Sequence, residues 1–169
     1  PTAQRAAFIN SVWYDSHSPN HFLATFFHEG AIYSINRTTG KAEKVLDGLK
    51  NPHGGKNFED KFLATSTGTG EVVIGKQENK VIYNFQNLSG KPSFLSDSEW
   101  LQNTSYHKGF FITIDSNRNA FFLFQPSNNI LSKIDYDNNW AIQDLVVIND
   151  LKDFNYLAPK LKNLENPTN

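Results

Sequence analysis

The chain is predicted to be all-β, a β-propeller or partial propeller of four-stranded blades, on three observations. Phe22-Leu23-Ala24-Thr25 recurs letter for letter forty residues later as Phe62-Leu63-Ala64-Thr65, and returns loosely as Phe110-Phe111-Ile112-Thr113. Each copy leads through a turn into a second β-rich run: Gly30-Ala31-Ile32-Tyr33-Ser34-Ile35, Gly70-Glu71-Val72-Val73-Ile74 and Asn119-Ala120-Phe121-Phe122-Leu123-Phe124. Aromatics make up 14% of the 169 residues and most are Phe, which suits half-buried strands. A period near forty with several short strands per unit is the signature of propeller blades.

The elements follow in order as one domain over 1–169. The first blade, 7–46, takes an inner strand at 7–14, then 21–27, 31–36 and 41–46, with Asn36-Arg37-Thr38-Thr39-Gly40 as the last hairpin turn. The second, 52–85, takes 52–58, 61–66, 71–76 and 80–85, turning at Gly68-Thr69-Gly70 and Gln77-Glu78-Asn79. The third, 104–135, takes 104–108, 110–115, 119–125 and 130–135, turning at Ser116-Asn117-Arg118 and Pro126-Ser127-Asn128-Asn129. Asn is frequent in these turns because it tolerates positive φ.

Residues 87–102 break the rhythm, and a long loop inside a compact array points to function. Ser96 followed by Glu99 reads as the capping box of a short helical turn. A closing strand and tail occupy 139–169, with a strand at 140–148, a short helix within 149–164 and a frayed end at 166–169.

Three blades do not close a ring and leave sheet faces and edges open. A second copy completing a homo-oligomer, the remainder of a longer chain, or a small four-unit ring would each resolve this. The chain lacks Met and shows no signal peptide at Pro1.

Composition narrows the function classes. A net charge of −1 with scattered Lys leaves no basic stripe, so nucleic acid and anionic membrane are not expected partners. No apolar run approaches the roughly 20 residues of a membrane-spanning helix, and a soluble protein is expected. With no Cys, thiolate chemistry and disulfides are excluded. Sequons at Asn36, Asn87 and Asn103 are no more than this much Asn produces by chance.

Gly48-Leu49-Lys50-Asn51-Pro52-His53-Gly54, followed by Lys61 through Val72, resembles one blade of the NHL-type six-bladed propellers. The similarity is greatest to a bacterial propeller family of uncharacterised function, in which a Gly-Leu-x-x-Pro-His step precedes a strand ending in Ser-Gly-x-Gly-Glu. Phe8-Ile9-Asn10 resembles the inner strand one blade earlier, with Phe8 where that family has His. The resemblance covers roughly residues 7–135. It implies a propeller fold, and an activity either of metal-dependent lyase or hydrolase type or of partner binding alone.

Inner strands line the channel of a propeller, so side chains from successive blades converge there. The expected ligand site is therefore Asn10, His53, Tyr106 and Trp100 at the inner-strand entrance. Trp100, Tyr106 and Trp13 would supply a stacking surface for a sugar or peptide. His53 stands out: Pro52 is expected to hold Asn51 extended, and Gly54-Gly55 to admit a ligand close to the backbone. Structurally, Pro-His-Gly equally marks a strand start. His17, His53 and His107 sit near repeat starts but match no compact metal motif; His53 and His107 are the candidates for a divalent metal. His21 and His28 read as exposed, and Asp60, Glu71, Asp115 and Asp135 as turn carboxylates. The favoured function is a ligand- or partner-binding module; the alternatives are a metal-dependent lyase or hydrolase, and a purely structural subunit.

Overall fold

A computed structural model describes residues 8–76, 78–126, 130–156 and 159. The expected turns at Gln77 and Ser127-Asn128-Asn129, Ala7 at the head of the first strand, and the tail at 166–169 lie outside these residues. Twelve described strands form three four-stranded antiparallel meanders. The first holds β1 (Ile9–Tyr14), β2 (His21–Phe26), β3 (Ala31–Asn36) and β4 (Ala42–Leu46). The second holds β5 (Pro52–Phe58), β6 (Lys61–Ser66), β7 (Glu71–Gly75) and β8 (Asn79–Asn84). The third holds β9 (Leu101–His107), β10 (Phe110–Asp115), β11 (Ala120–Phe124) and β12 (Ile130–Asp135). Contacts between sheets concentrate on the first strands, β1 against β5 and β5 against β9. These three form the inner layer.

The third repeat runs one residue out of step with its sequence match. The hairpins close on Phe26↔Ala31, Ser66↔Glu71 and Asp115↔Ala120. Counting back from them, the equivalent of Phe22 and Phe62 is Phe111 rather than Phe110. The turn residues agree: Gly30, Gly70 and Asn119 have φ of 70°, 70° and 48°. Each stands eight residues after its Phe. A slip of one residue reverses a strand's faces, and the burial confirms the corrected register: Phe111 is 1% exposed and Phe110 37%.

The core fills the two seams between blades. Leu23, Ile32, Leu46, Phe62, Ala64 and Val73 close the first seam. Leu63, Val72, Phe85, Leu101, Phe111 and Phe124 close the second. Hydroxyls bridge the same seams nearer the axis. Gly55 N donates to Thr25 Oγ1 at 3.0 Å, and Thr65, Thr104 and Thr113 form a buried chain of hydroxyls at 2.9 and 2.7 Å.

Three local expectations are corrected. Ser96 does not start a helical turn but ends one: it is the C-cap of a 3-10 turn at Ser93–Leu95, its backbone N–H donating to the Ser93 carbonyl, and Glu99 is buried instead of capping. Arg118 captures it: Nη1 donates to Glu99 Oε2 at 2.9 Å and to Asp115 Oδ2 at 2.6 Å. Nη2 and Nε donate to the carbonyls of Phe85, Leu88 and Ser89. Asp115 therefore does more than serve its turn, although it also accepts from the Asn117 and Arg118 backbones. The long loop is thus clamped to the third blade.

Second, Asn51 has φ 51° rather than an extended conformation; its amide side chain makes positive φ tolerable despite the following Pro52. Third, 140–148 is not a strand, and residues 140–150 carry no ladder pairing. The segment lies instead along the inner layer. Residues 151–156 are helical. Among the described residues no helix is long and apolar enough to cross a membrane.

Candidate functional site

The inner strands run side by side, so their two ends make two distinct openings. At the first, residues of β1, β5 and the start of β9 surround a cavity of about 560 Å³. Asn10, His53 and Trp100, three of the four expected ligand-site residues, all line it. Tyr106 does not; it lies at the other opening with Trp13, where Phe58 packs edge-on against it at 4.9 Å. His107 closes β9 at that far end, whereas His53 is the second residue of β5. Thr67 ties His53 to the level of Leu101, the first residue of β9. His53 and His107 are therefore not brought together. Among the described residues no three His, Cys, Asp or Glu side chains gather in metal-binding fashion.

The aromatic wall is built by Phe27, His53 and Trp100, with ring centroids 5.5 to 6.2 Å apart, and Phe8 packs edge-on against Phe27 at 5.7 Å. Trp100 ends the clamped loop, so the Arg118 network fixes the position of this ring from behind.

The proton on His53 can be placed. Thr67 Oγ1 donates its single hydrogen to the Leu101 carbonyl at 2.6 Å. It must then accept from His53 Nδ1, 2.7 Å away. Burial lowers the His53 pKa, although a backbone hydrogen bond with Asn51 favours the charged form. The imidazole is therefore the neutral Nδ1–H tautomer at pH 7, and Nε2 keeps its lone pair.

The polar floor consists of carboxamides. Asn10 Nδ2 donates to the Pro52 carbonyl at 2.8 Å, and Asn103 Nδ2 donates to the Asp144 carboxylate. The opposite atoms, Asn10 Oδ1 and Asn103 Oδ1, are buried without a hydrogen-bond partner, as is Ser11 Oγ. All three residues line the cavity. Asn103, Ser11 and the segment residues Gln143 and Asp144 were not singled out by sequence reasoning. Asn103 entered it only as a sequon, and at 4% exposure it is no glycan acceptor.

Gly54 lines the cavity, whereas Gly55 is demanded by the protein's own packing. A Cβ on Gly55 would come 2.5 Å from Ile32 Cδ1 and 2.6 Å from Thr25 Oγ1 of the first blade. His21 is also not free: it bonds Ser34 Oγ at 2.9 Å and Asn36 at 3.0 Å. His28 is exposed at the cavity rim, and His17 binds the Glu59 carbonyl at 2.7 Å.

No family model matches the chain, and no curated protein matches its sequence. Solved structures do match it. A streptogramin B lyase superposes with TM-score 0.58 at 11% identity, over 79% of this chain and 42% of that one. A luciferin-regenerating enzyme superposes with TM-score 0.59 at 9% identity, over 79% of this chain and 48% of that one. The fold is a partial β-propeller. Such low identity establishes the fold alone, and this chain spans less than half the length of either neighbour.

Proposed function

We propose that the chain is a ligand-binding propeller module whose site is the cavity around His53, and that its ligand is a small polyhydroxylated molecule such as a sugar ring. One observation carries the reading: buried acceptors of Asn10 and Asn103 stand without partners on the floor of an aromatic-walled cavity. Unpaired buried carbonyls cost about 1–3 kcal/mol each, which a ligand's donors would recover. A sugar brings hydroxyl donors for these oxygens and for His53 Nε2, and an apolar C–H face for Trp100. A peptide brings fewer donors per unit area and is the second choice.

The resemblance of residues 48–72 to an NHL-type blade supports placing the site at this end of the inner strands. The matched structures are named as enzymes, and a lyase or hydrolase activity is the alternative proposal. The separation of His53 from His107 does not favour a shared metal between them. The ring is completed, in this proposal, by blades beyond these three, from a second copy or from further chain. Val12 and Tyr14 of β1, 59% and 56% exposed, support it. A stable completing contact should bury well over about 1,000 Å², and light scattering of the chain tests it.

The site is tested by titrating a panel of mono- and disaccharides while following tryptophan emission. Saturable quenching in the chain, absent in Trp100→Phe, is expected, with affinity falling about tenfold or more in His53→Ala. Sugars that bind His53→Ala as well as the original chain would refute the site.

A further inference from the structure

We propose a second ligand site at the opposite end of the inner layer, taking a singly charged carboxylate carried on a flat apolar body. The corrected register leads to it. Trp13, Lys56 and Ser105 pair with Leu23, Leu63 and Ile112 respectively, which are equivalent positions in the three blades. Each blade thus delivers one side chain to one point. Lys56 Nζ donates to Ser105 Oγ at 3.0 Å and stands 4.9 Å from the centroid of the Trp13 ring. The adjoining cavity is about 360 Å³, and Phe58, Leu63, Tyr106 and Leu145 help to wall it. It shares no lining residue with the cavity around His53.

Lys56 is 6% exposed. Yet it forms none of the ion pairs among the described residues. Buried ammonium groups are normally paired, because desolvation is costly. One neutral hydroxyl and one ring face leave Lys56 short of an anionic acceptor. One carboxylate acts on it, and a second lines the same cavity. Asp144 favours the charged amine, but its Oδ1 accepts from Asn103 Nδ2 and the Leu145 backbone. Glu59 lines the cavity but is exposed to water. A ligand carboxylate would accept from Lys56 and also from the Ser105 hydroxyl, whose oxygen accepts from Lys56 and whose hydrogen meets no acceptor among the described residues. A phosphate dianion would bring a second charge that one ammonium does not neutralise. The aromatic and aliphatic walls select a flat apolar body.

The test uses the intact chain with 2-naphthoate as probe and 2-naphthalenemethanol as its uncharged control, both measured by calorimetric titration. The naphthoate should bind about tenfold or more tightly than the alcohol, a step of about 1.4 kcal/mol. Lys56→Met should erase that preference, Lys56→Arg should retain it, and Ser105→Ala should reduce it in an otherwise native fold. The preference should fade as pH rises well above 8, where the amine loses its proton. Equal binding of acid and alcohol, no naphthoate binding at millimolar concentration, or unchanged preference in Lys56→Met would each overturn the proposal. Binding should survive His53→Ala; its loss there would place the naphthoate in the other cavity and equally overturn it.

Discussion

Gly54 lies directly beneath the Asn103 carboxamide, with no room between them for a side chain. A Cβ at residue 54 would stand 2.6 Å from Asn103 Cγ, and Gly54 holds φ 63°. Position 54 thus couples the second blade's inner strand to the third blade's contribution to the cavity floor. Gly54→Ala has two costs, the positive φ and displacement of a buried carboxamide that holds Asp144. We expect a loss of about 2–4 kcal/mol in urea unfolding and weaker sugar binding. A variant as stable as the original chain would show that Asn103 moves aside freely.

Arg118 should be the most sensitive side chain outside the apolar core. Its own side chain and that of Asp115 are 0% exposed, and that of Glu99 is 4%. Arg118→Ala leaves Asp115 Oδ2, Glu99 Oε2 and three carbonyls without this donor, while Lys91 still pairs with Glu99 Oε1 at 2.7 Å and backbone N–H groups still reach Asp115 Oδ1; breaking the buried pair should cost about 3–5 kcal/mol. Arg118→Lys should rescue little, since one ammonium cannot span five acceptors. The loop ending at Trp100 should also become cleavable in limited proteolysis. Protease resistance equal to the original would mean that the clamp does not hold the loop.

The register correction makes its own prediction. Phe111→Ala should cost about 3–5 kcal/mol, because the ring fills the seam between second and third blades. Phe110→Ala should cost under about 1 kcal/mol, since the ring is partly in water. Comparable losses in equilibrium unfolding would restore the alignment suggested by the Phe-Phe-Ile-Thr string.

What was readable in the sequence was whatever repeats locally. Alternating runs and turn residues locate β5, β6, β10 and β12 at their observed bounds, because hairpin geometry is set by neighbours in the chain. The one-residue slip in β10 arose because Phe110 and Phe111 are chemically identical and only the partner strand distinguishes their faces. Glu99 looked like a cap because capping is a local pattern, while Arg118 lies 19 residues away. The segment 140–148 has strand-like composition, yet it runs along the inner layer without joining a ladder, with Gln143 and Asp144 at one cavity and Leu145 to Val147 at the other. Asn10 and His53 were legible as neighbours because inner strands converge in a propeller, whereas Trp100 was reached only as part of the long loop, whose end lies at the same cavity. Asn103 and Lys56 were not, since their roles depend on the registers of β9 and β5 against each other.

Lys56 gives the chain a distinctive pH dependence. Burial pulls its pKa from 10.5 to about 8, with Asp144 restoring only part of the loss. Below pH 8 the amine is charged in both folded and unfolded states, and the folded state bears the whole desolvation penalty. Between pH 8 and 10.5 the unfolded chain still holds a proton that the folded chain has released. The unfolded state therefore binds more protons, and this group's contribution to stability rises with pH across that window. The full change is on the order of 3 kcal/mol. Lys56→Met removes the penalty, so at pH 7 the variant should be the more stable, less whatever the lost bond to Ser105 contributes. Its advantage should shrink as pH is raised from 8 to 10.5. The difference between the two proteins isolates Lys56 from the other lysines and tyrosines that titrate in the same range. Urea denaturation of both at matched pH values measures it, and an advantage that stays constant across the window would show that Lys56 keeps an ordinary pKa in the folded chain.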